Sequence, residues 1–99
     1  MKKILLVCSA GMSTSMLVKK MQAAATDRQL DVEILAVAES EAKNHTDAGV
    51  VLLGPQVRFI KAKVEKLMGG AAPVEIINSV HYGTLNGEKV LDTALDLMG

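Results

Sequence analysis

The sequence has very few aromatic residues: 99 residues contain one Phe, one Tyr and no Trp, although 49% of them are hydrophobic. The core must therefore be built from aliphatic side chains and from some of the six methionines. The formal net charge is +0, and the cations form no run longer than the pairs Lys2-Lys3 and Lys19-Lys20. A nucleic-acid partner bound by phosphate neutralisation is therefore disfavoured.

The chain also has only one cysteine, Cys8, so neither an internal disulfide nor a Cys-x-x-Cys redox pair is available. His45 and His81 lack metal-ligand spacing, and we predict no metal and no cofactor. The longest apolar runs fall far short of the roughly 20 residues of a spanning helix, and no secretory signal is recognisable. We expect a cytoplasmic protein that is not inserted in the membrane, folded as a single domain over residues 1–99.

Short aliphatic segments alternate with longer segments that have helical periodicity. Four are typical of buried strands: residues 4–7, 31–37, 50–53 and 74–77. Three predict helices: residues 13–28, a segment from about 56 to the Gly69-Gly70 pair, and a last segment after the Asn86-Gly87 pair. A further short helix is predicted at residues 39–45.

This alternation predicts an α/β fold with a four-stranded parallel open sheet and helices on both faces. We expect the strand order 2-1-3-4, with the change of direction between strands 1 and 3. Ligands of open α/β sheets bind beyond the carboxyl ends of the strands at such a point. Three segments should converge there: residues 8–15, 54–56 and 78–83.

The first of these segments has small residues and hydroxyls but no charge. Its members from Cys8 onwards are Cys8, Ser9, Ala10, Gly11, Met12, Ser13, Thr14 and Ser15. A helix follows, and a helix N-terminus offers unpaired N–H donors and a partial positive charge. Backbone amides and hydroxyls of residues 9–15 could therefore cradle a phosphoryl group, and the same field would favour the thiolate of Cys8 as a nucleophile. The alternatives are a small buried hydrophobic residue at Cys8 and ordinary helix capping by one hydroxyl, such as that of Ser13.

Other phosphate-binding chemistries lack their required residues. No Gly-Lys-Ser/Thr motif is present, which excludes a nucleotide P-loop. In the Cys-x5-Arg-Ser/Thr loop of cysteine phosphatases an Arg clamps the phosphoryl group, and here Thr14 stands at that position. A thiol that accepts phosphate without machinery for hydrolysis suits a carrier.

The string Cys8-Ser-Ala-Gly-Met-Ser-Thr-Ser-Met-Leu-Val18 resembles the active-site loop of enzyme IIB of the lactose/cellobiose/chitobiose class. These proteins belong to the bacterial phosphoenolpyruvate-dependent sugar phosphotransferase system. The segments 50–56, Tyr82-Gly83 and Asn86-Gly87 are also similar to that family. The resemblance implies that Cys8 accepts phosphate from a phosphohistidine of enzyme IIA and passes it to a sugar at the membrane component IIC. A β-linked disaccharide such as cellobiose, chitobiose or lactose is the sugar expected.

Candidate rim or docking residues around the thiol are Met16, Gln56 and Tyr82. Met12 is expected within the loop, facing outward. The sequence departs from the family pattern at Asn78, where an acidic residue is frequent, and at His81.

Two other functions compete with the carrier. A low-molecular-weight cysteine phosphatase or arsenate reductase-like enzyme would turn over alone. A non-catalytic anion- or nucleotide-sensing module would bind its ligand equally well without the Cys8 thiol.

Overall fold

A computed structural model describes residues 2–8 and 12–99 of the chain, and the side chains of residues 2–8 and 14–99. The strands are β1 (Lys2–Cys8), β2 (Val32–Ala38), β3 (Val50–Leu53) and β4 (Val74–Ile76). The α-helices are α1 (Met12–Asp27), α2 (Lys61–Met68), α3 (Ser79–Gly83) and α4 (Gly87–Met98). Two 3₁₀ helices occupy Glu39–His45 and Pro55–Ile60.

The four strands form one sheet in the order β2-β1-β3-β4. All neighbouring strands are parallel, with Ile4 of β1 opposite Ile34 of β2 and Val50 of β3. The predicted fold class and strand order are therefore confirmed. Because β1 and β3 are adjacent although β2 lies between them in the chain, the sheet changes direction where the sequence predicted it.

Successive side chains of the central strand enter two different cores. Ile4 and Leu6 of β1 belong to a cluster with Leu17 of α1 and Leu91 of α4. Leu5 and Val7 belong to a second cluster on the other face, with the 3₁₀ helix Pro55–Ile60 and α2. Side chains of a strand point alternately to the two faces of the sheet, so a strand buried on both faces is a continuous apolar run. Residues 4–7 are all 0% exposed.

The helix predicted from about residue 56 differs from the observed one at its N-terminal end. The segment from Pro55 begins as a 3₁₀ helix, with a non-helical conformation at Val57 (φ −118°, ψ 22°), and the α-helix begins only at Lys61. The helical spacing of Val57, Ile60, Val64 and Leu67 predicts that all four share one inward face, but for Leu67 this is wrong: it is 37% exposed and Met68 is buried. Because the α-helix begins only after the kink, the buried positions near its end shift by about one residue, from Leu67 to Met68.

A short helix was missed between β4 and α4. No helix was predicted for residues 78–83, but Ser79–Gly83 form α3. The side chain of Asn78 caps this helix, since its Oδ1 accepts hydrogen bonds from the N–H groups of Val80 (2.9 Å) and His81 (3.2 Å). Asn is a favoured N-cap residue, so the Asn found where the family pattern is often acidic has a local structural role.

Candidate functional site

Three strand ends lie side by side at the carboxyl edge of the sheet. The N–H of Gly54, just after β3, donates to the carbonyl of Val7 in β1 at 2.9 Å. The N–H of Ile77, just after β4, donates to the carbonyl of Leu53 at 2.8 Å. The ladder hydrogen bonds thus continue past the strands and bring the segments that follow β1, β3 and β4 together.

Cys8 is the last residue of β1 and pairs with Ala38 of β2. Its side chain is 4% exposed. Alternation along the strand places it on the same face as Ile4 and Leu6, which is the face covered by α1 and α4. The thiol therefore lies at the end of the sheet from which the chain passes into α1.

Part of the predicted phosphate-binding loop lies outside the described residues. Ser9, Ala10 and Gly11 are not described, and neither are the side chains of Met12 and Ser13. Met12 was predicted within the loop, but it is the first residue of α1. Ser13 therefore belongs to the first helical turn. The proposed contacts of residues 9–13 with phosphate stay predictions.

Thr14 is buried in the first turn of α1. It is 1% exposed, and among the described side chains no other residue classed as polar or charged is buried. Its Oγ1 lies 2.9 Å from the hydroxyl of Tyr82. The two residues that follow it, Ser15 and Met16, are exposed, Met16 by 52%. Among the described side chains at the start of α1, that of Thr14 is therefore directed inward, and those of Ser15 and Met16 are exposed.

Tyr82 and Gln56, predicted as rim or docking residues, meet each other at this edge. Gln56 Nε2 donates to the Tyr82 hydroxyl at 2.9 Å. Tyr82 is 8% exposed and belongs to the core cluster beneath α1 and α4, whereas Gln56 is exposed. The Tyr82 hydroxyl thus joins the segments that follow β1 and β3.

The sequence held one signal for this contact. Thr14, Leu17 and Met21 have the i, i+3, i+7 spacing of a single helical stripe, and Leu17 and Met21 are both 0% exposed. A hydroxyl on a buried stripe needs a hydrogen-bond partner. The identity of that partner, 68 residues away, follows only from the tertiary structure.

Gly54 leaves room for the Gln56 side chain. A Cβ at Gly54 would lie 2.7 Å from Gln56 Oε1 and 3.2 Å from its Cδ. The backbone of Gly54 is extended (φ −60°, ψ 145°), a conformation open to any residue. The requirement here is therefore for space beside the Gln56 amide.

The ionisable groups with shifted pKa values lie away from Cys8. A hydrogen bond from Lys3, near the amino end of β1, holds the pKa of Asp47 below its ordinary value of 3.8. Hydrogen bonds to Asp92 and Glu88 of α4 raise the pKa of Arg28, which follows the last turn of α1. Neither ion pair involves Cys8 or the neutral side chains Thr14, Gln56 and Tyr82 that meet at the carboxyl edge.

The described part of the chain contains no group of three His, Cys, Asp or Glu side chains that could hold a metal ion. Within the same residues, no helix is both long enough and apolar enough to cross a bilayer.

The model of one protein family, described as PTS system, Lactose/Cellobiose specific IIB subunit, matches residues 3–93. A cellobiose-specific EIIB component of Lactococcus lactis subsp. lactis is 44% identical over 98% of this chain and 96% of its own length. An oligo-beta-mannoside-specific EIIB component of Bacillus subtilis is 44% identical, covering 99% and 97%. A galactose-specific EIIB component of Lactococcus lactis subsp. cremoris is 43% identical, covering 98% and 96%.

Solved structures of IIB proteins have the same fold. The solution structure of a cellobiose-specific IIB component from Borrelia burgdorferi has a TM-score of 0.81 and 45% identity, covering 98% of this chain and 91% of that one. A lactose-specific IIB domain from Streptococcus pneumoniae has a TM-score of 0.84 over 97% and 96% of the two chains, at 17% identity.

Proposed function

The chain belongs to the lactose/cellobiose-specific IIB family of the sugar phosphotransferase system, and we propose that Cys8 is the residue that carries the phosphoryl group. The Cys8 sulfur attacks the phosphorus of a phosphohistidine on an enzyme IIA, so that an S–P bond forms and the N–P bond breaks. A hydroxyl of the sugar bound by the membrane component IIC then attacks the same phosphorus, and the thiolate leaves. The reaction takes place in the cytoplasm, where phosphoenolpyruvate is available.

One observation supports this role above the others: the chain's only cysteine ends β1 at the carboxyl edge of the sheet and is followed by α1. A phosphoryl group on its sulfur would lie close to the helix N-terminus. Free backbone N–H groups and the helix dipole there stabilise anions. The hydroxyl of Thr14, buried in the first turn of the same helix, would add a further donor.

Neutral surroundings favour transfer over hydrolysis. No Lys, Arg, Asp or Glu occurs between residues 4 and 18. Thr14, at the position of the phosphatase Arg, is buried and bonded to Tyr82. Charged groups positioned on a transferring phosphoryl group accelerate reaction by about 10³-fold or more. Without them, water should attack the phosphocysteine slowly.

Exposed apolar side chains near the same edge suit transient docking of IIA and IIC. Met16 lies in α1 just after the thiol, Phe59 in the 3₁₀ helix that follows β3, and Val80 in α3 after β4. They are 52%, 79% and 66% exposed, respectively. Exposed apolar side chains that cluster near a site mark interaction surfaces, and Met adapts to more than one partner.

The direct test is intact-mass measurement after incubation with phosphorylated IIA. Wild-type protein should gain one phosphate, and Cys8→Ser should gain none or a trace because a serine hydroxyl lacks thiolate nucleophilicity at neutral pH. Cys8→Ala serves as the control for phosphorylation elsewhere. A fully phosphorylated Cys8→Ala protein would refute the assignment, and ligand binding that does not depend on Cys8 would support the sensing module.

The decay of the phosphoprotein distinguishes a carrier from a phosphatase. Isolated phosphorylated protein should persist far longer in buffer than in the presence of IIC and sugar. Equal decay in both conditions, or steady hydrolysis of an aryl phosphate, would favour the low-molecular-weight phosphatase instead.

For the sugar we propose a β-linked disaccharide such as cellobiose, chitobiose or lactose. The names of the relatives span cellobiose, oligo-beta-mannoside and galactose at nearly equal identity, so identity alone selects none of them. The test is phosphoryl transfer from the Cys8 phosphoprotein, with IIC of the same organism, to each disaccharide and to galactose. Transfer to galactose alone would contradict the disaccharide.

A further inference from the structure

The Tyr82 hydroxyl has hydrogen-bond contacts on two sides. Gln56 Nε2 lies 2.9 Å from it and Thr14 Oγ1 lies 2.9 Å from it. The aromatic ring of Tyr82 is packed in the core cluster that contains Leu17 and Val90. The hydroxyl is thus held on a rigid ring between two segments that both border the end of β1.

The donors and acceptors in these two contacts favour one direction of donation, from Gln56 through Tyr82 to Thr14. An amide nitrogen can only donate, so the Tyr82 oxygen accepts from Gln56. With the Tyr82 oxygen accepting from Gln56, donation from Tyr82 to Thr14 satisfies both contacts of the Tyr82 hydroxyl within the described residues. In this arrangement the Thr14 proton points away from Tyr82.

The burial of Thr14 and its position in the helix restrict where its hydroxyl proton can point. Thr14 is 1% exposed and lies in the first turn of α1, the helix that follows Cys8 in the sequence. A threonine inside a helix can donate to the carbonyl four residues earlier, but the residue four positions before Thr14 lies outside α1, which begins at Met12. A phosphoryl oxygen on Cys8 would supply an acceptor at this end of the helix.

We propose that Tyr82 is a positioning residue for phosphoryl transfer: its hydroxyl, held by Gln56, orients the Thr14 hydroxyl so that Thr14 donates to the phosphoryl group on Cys8. This inference rests on the proposed function of Cys8. Hydrogen bonds that run in one direction polarise one another, so the donor that reaches the phosphoryl group is stronger as well as aligned.

The rate of phosphoryl acceptance from phosphorylated IIA measures this effect. Thr14→Val removes a direct donor and should slow acceptance by about 10²-fold, as loss of one donor to a developing negative charge does. Tyr82→Phe leaves the donor present but misaligned, so we expect a smaller loss of about tenfold. Thr14→Ser keeps the hydroxyl and should restore most of the rate that Thr14→Val loses.

A double variant tests whether Tyr82 acts through Thr14. In a Thr14→Val background, Tyr82→Phe should cause no further loss, because the donor that it orients is already absent. Phosphorus NMR provides an independent readout: loss of the donor disfavours the dianion, so Tyr82→Phe should raise the pKa of the phosphoryl group and should not raise it in the Thr14→Val background. A purely structural Tyr82 would leave this pKa unchanged.

Two further variants test whether the losses come from unfolding. Thr84→Val removes an exposed hydroxyl that donates to the carbonyl of Val80 in α3, the helix that contains Tyr82. It should change neither the rate of acceptance nor the pKa of the phosphoryl group. Gln56→Met removes the amide from an exposed side chain and should slow acceptance several-fold without lowering the melting temperature. The inference would be overturned if Tyr82→Phe slowed acceptance equally in the wild-type and Thr14→Val backgrounds. It would also be overturned if Tyr82→Phe accepted phosphate at the wild-type rate. If wild-type protein takes no phosphate at all, the function proposed for Cys8 fails first.

Discussion

The two faces of the sheet are buried to a similar extent but differ in chemistry. The face covered by α2 and the 3₁₀ helix Pro55–Ile60 has a purely apolar core, which includes Val57, Val64 and Met68. The face covered by α1 and α4 has an equally apolar centre, but at its carboxyl end the buried Thr14 and Tyr82 share a hydrogen bond. Burying polar groups weakens a core unless they are paired.

We expect one face to have a structural role only and the other face to take part in phosphoryl transfer as well. The apolar face fixes the position of β1 and β3 and needs only volume and shape. The proposed role of Thr14 and Tyr82 requires in addition that the other face hold their hydroxyls in a defined orientation. A substitution on the apolar face should therefore change stability alone, whereas one on the α1/α4 face should change stability and phosphoryl acceptance together.

The largest expected effect compares two buried methionines, one on each face. Met21 in α1 is 0% exposed and Met68 in α2 is 3% exposed. Truncating either to Ala should lower the free energy of unfolding by about 2–5 kcal/mol, as measured by denaturant titration. Met21→Ala should also slow phosphoryl acceptance per folded molecule, because α1 bears Thr14. If Met68→Ala slowed acceptance equally, the distinction between the two faces would be wrong.

The second-largest effect is expected at Gly87, where α4 approaches the backbone of α1. A Cβ on Gly87 would lie 2.6 Å from the carbonyl carbon of Lys20 and 2.7 Å from the backbone nitrogen of Met21. Backbone cannot give way locally, so Gly87→Ala should destabilise by about 1–3 kcal/mol. Gly83→Ala is the matched control, because nothing lies within 4 Å of its Cβ position, and its melting temperature should stay within a degree or two of wild type.

Gly54→Ala should separate activity from stability. The new methyl group would meet the Gln56 amide, the end of a flexible side chain, and the backbone conformation suits Ala. We expect a stability change below about 1 kcal/mol and a several-fold slower phosphoryl acceptance, because Gln56 is pushed away from Tyr82. A large loss of stability with unchanged acceptance would mean that the Gln56 amide has no part in the transfer.

The smallest effect concerns the opposite edge of the sheet. Lys3 Nζ lies 3.0 Å from both carboxylate oxygens of Asp47, and the pKa of Asp47 is lowered by that hydrogen bond. Its contribution to stability is therefore present above the ordinary value of 3.8 and is lost as the pH falls through the lower folded-state pKa. NMR titration should place the Asp47 midpoint below 3.8 in wild type and nearer 3.8 in Lys3→Met. Neither Lys3→Met nor Asp47→Asn should alter phosphoryl acceptance.

Local pattern predicted most of the elements because each had a strong signal. The apolar runs predicted all four strands to within two residues at either end, and the Pro55 and Gly69-Gly70 positions bracketed the third helical segment. The kink at Val57 and the exposure of Leu67 were not predicted. A prediction from periodicity assumes one unbroken α-helix. When a 3₁₀ turn with fewer residues per turn precedes the α-helix, the predicted inward positions no longer match the buried ones.

The sequence by itself determined the fold class, the strand order and the family, because periodicity, crossover rules and the Cys8–Ser15 string are all local or topological information. It also singled out Cys8, Thr14, Gln56 and Tyr82 separately. Only the tertiary structure brought the last three into one chain of hydrogen bonds. Such bonds require an alignment within a few tenths of an ångström, and residues 14, 56 and 82 acquire it only when strand register and helix packing fix three distant segments together.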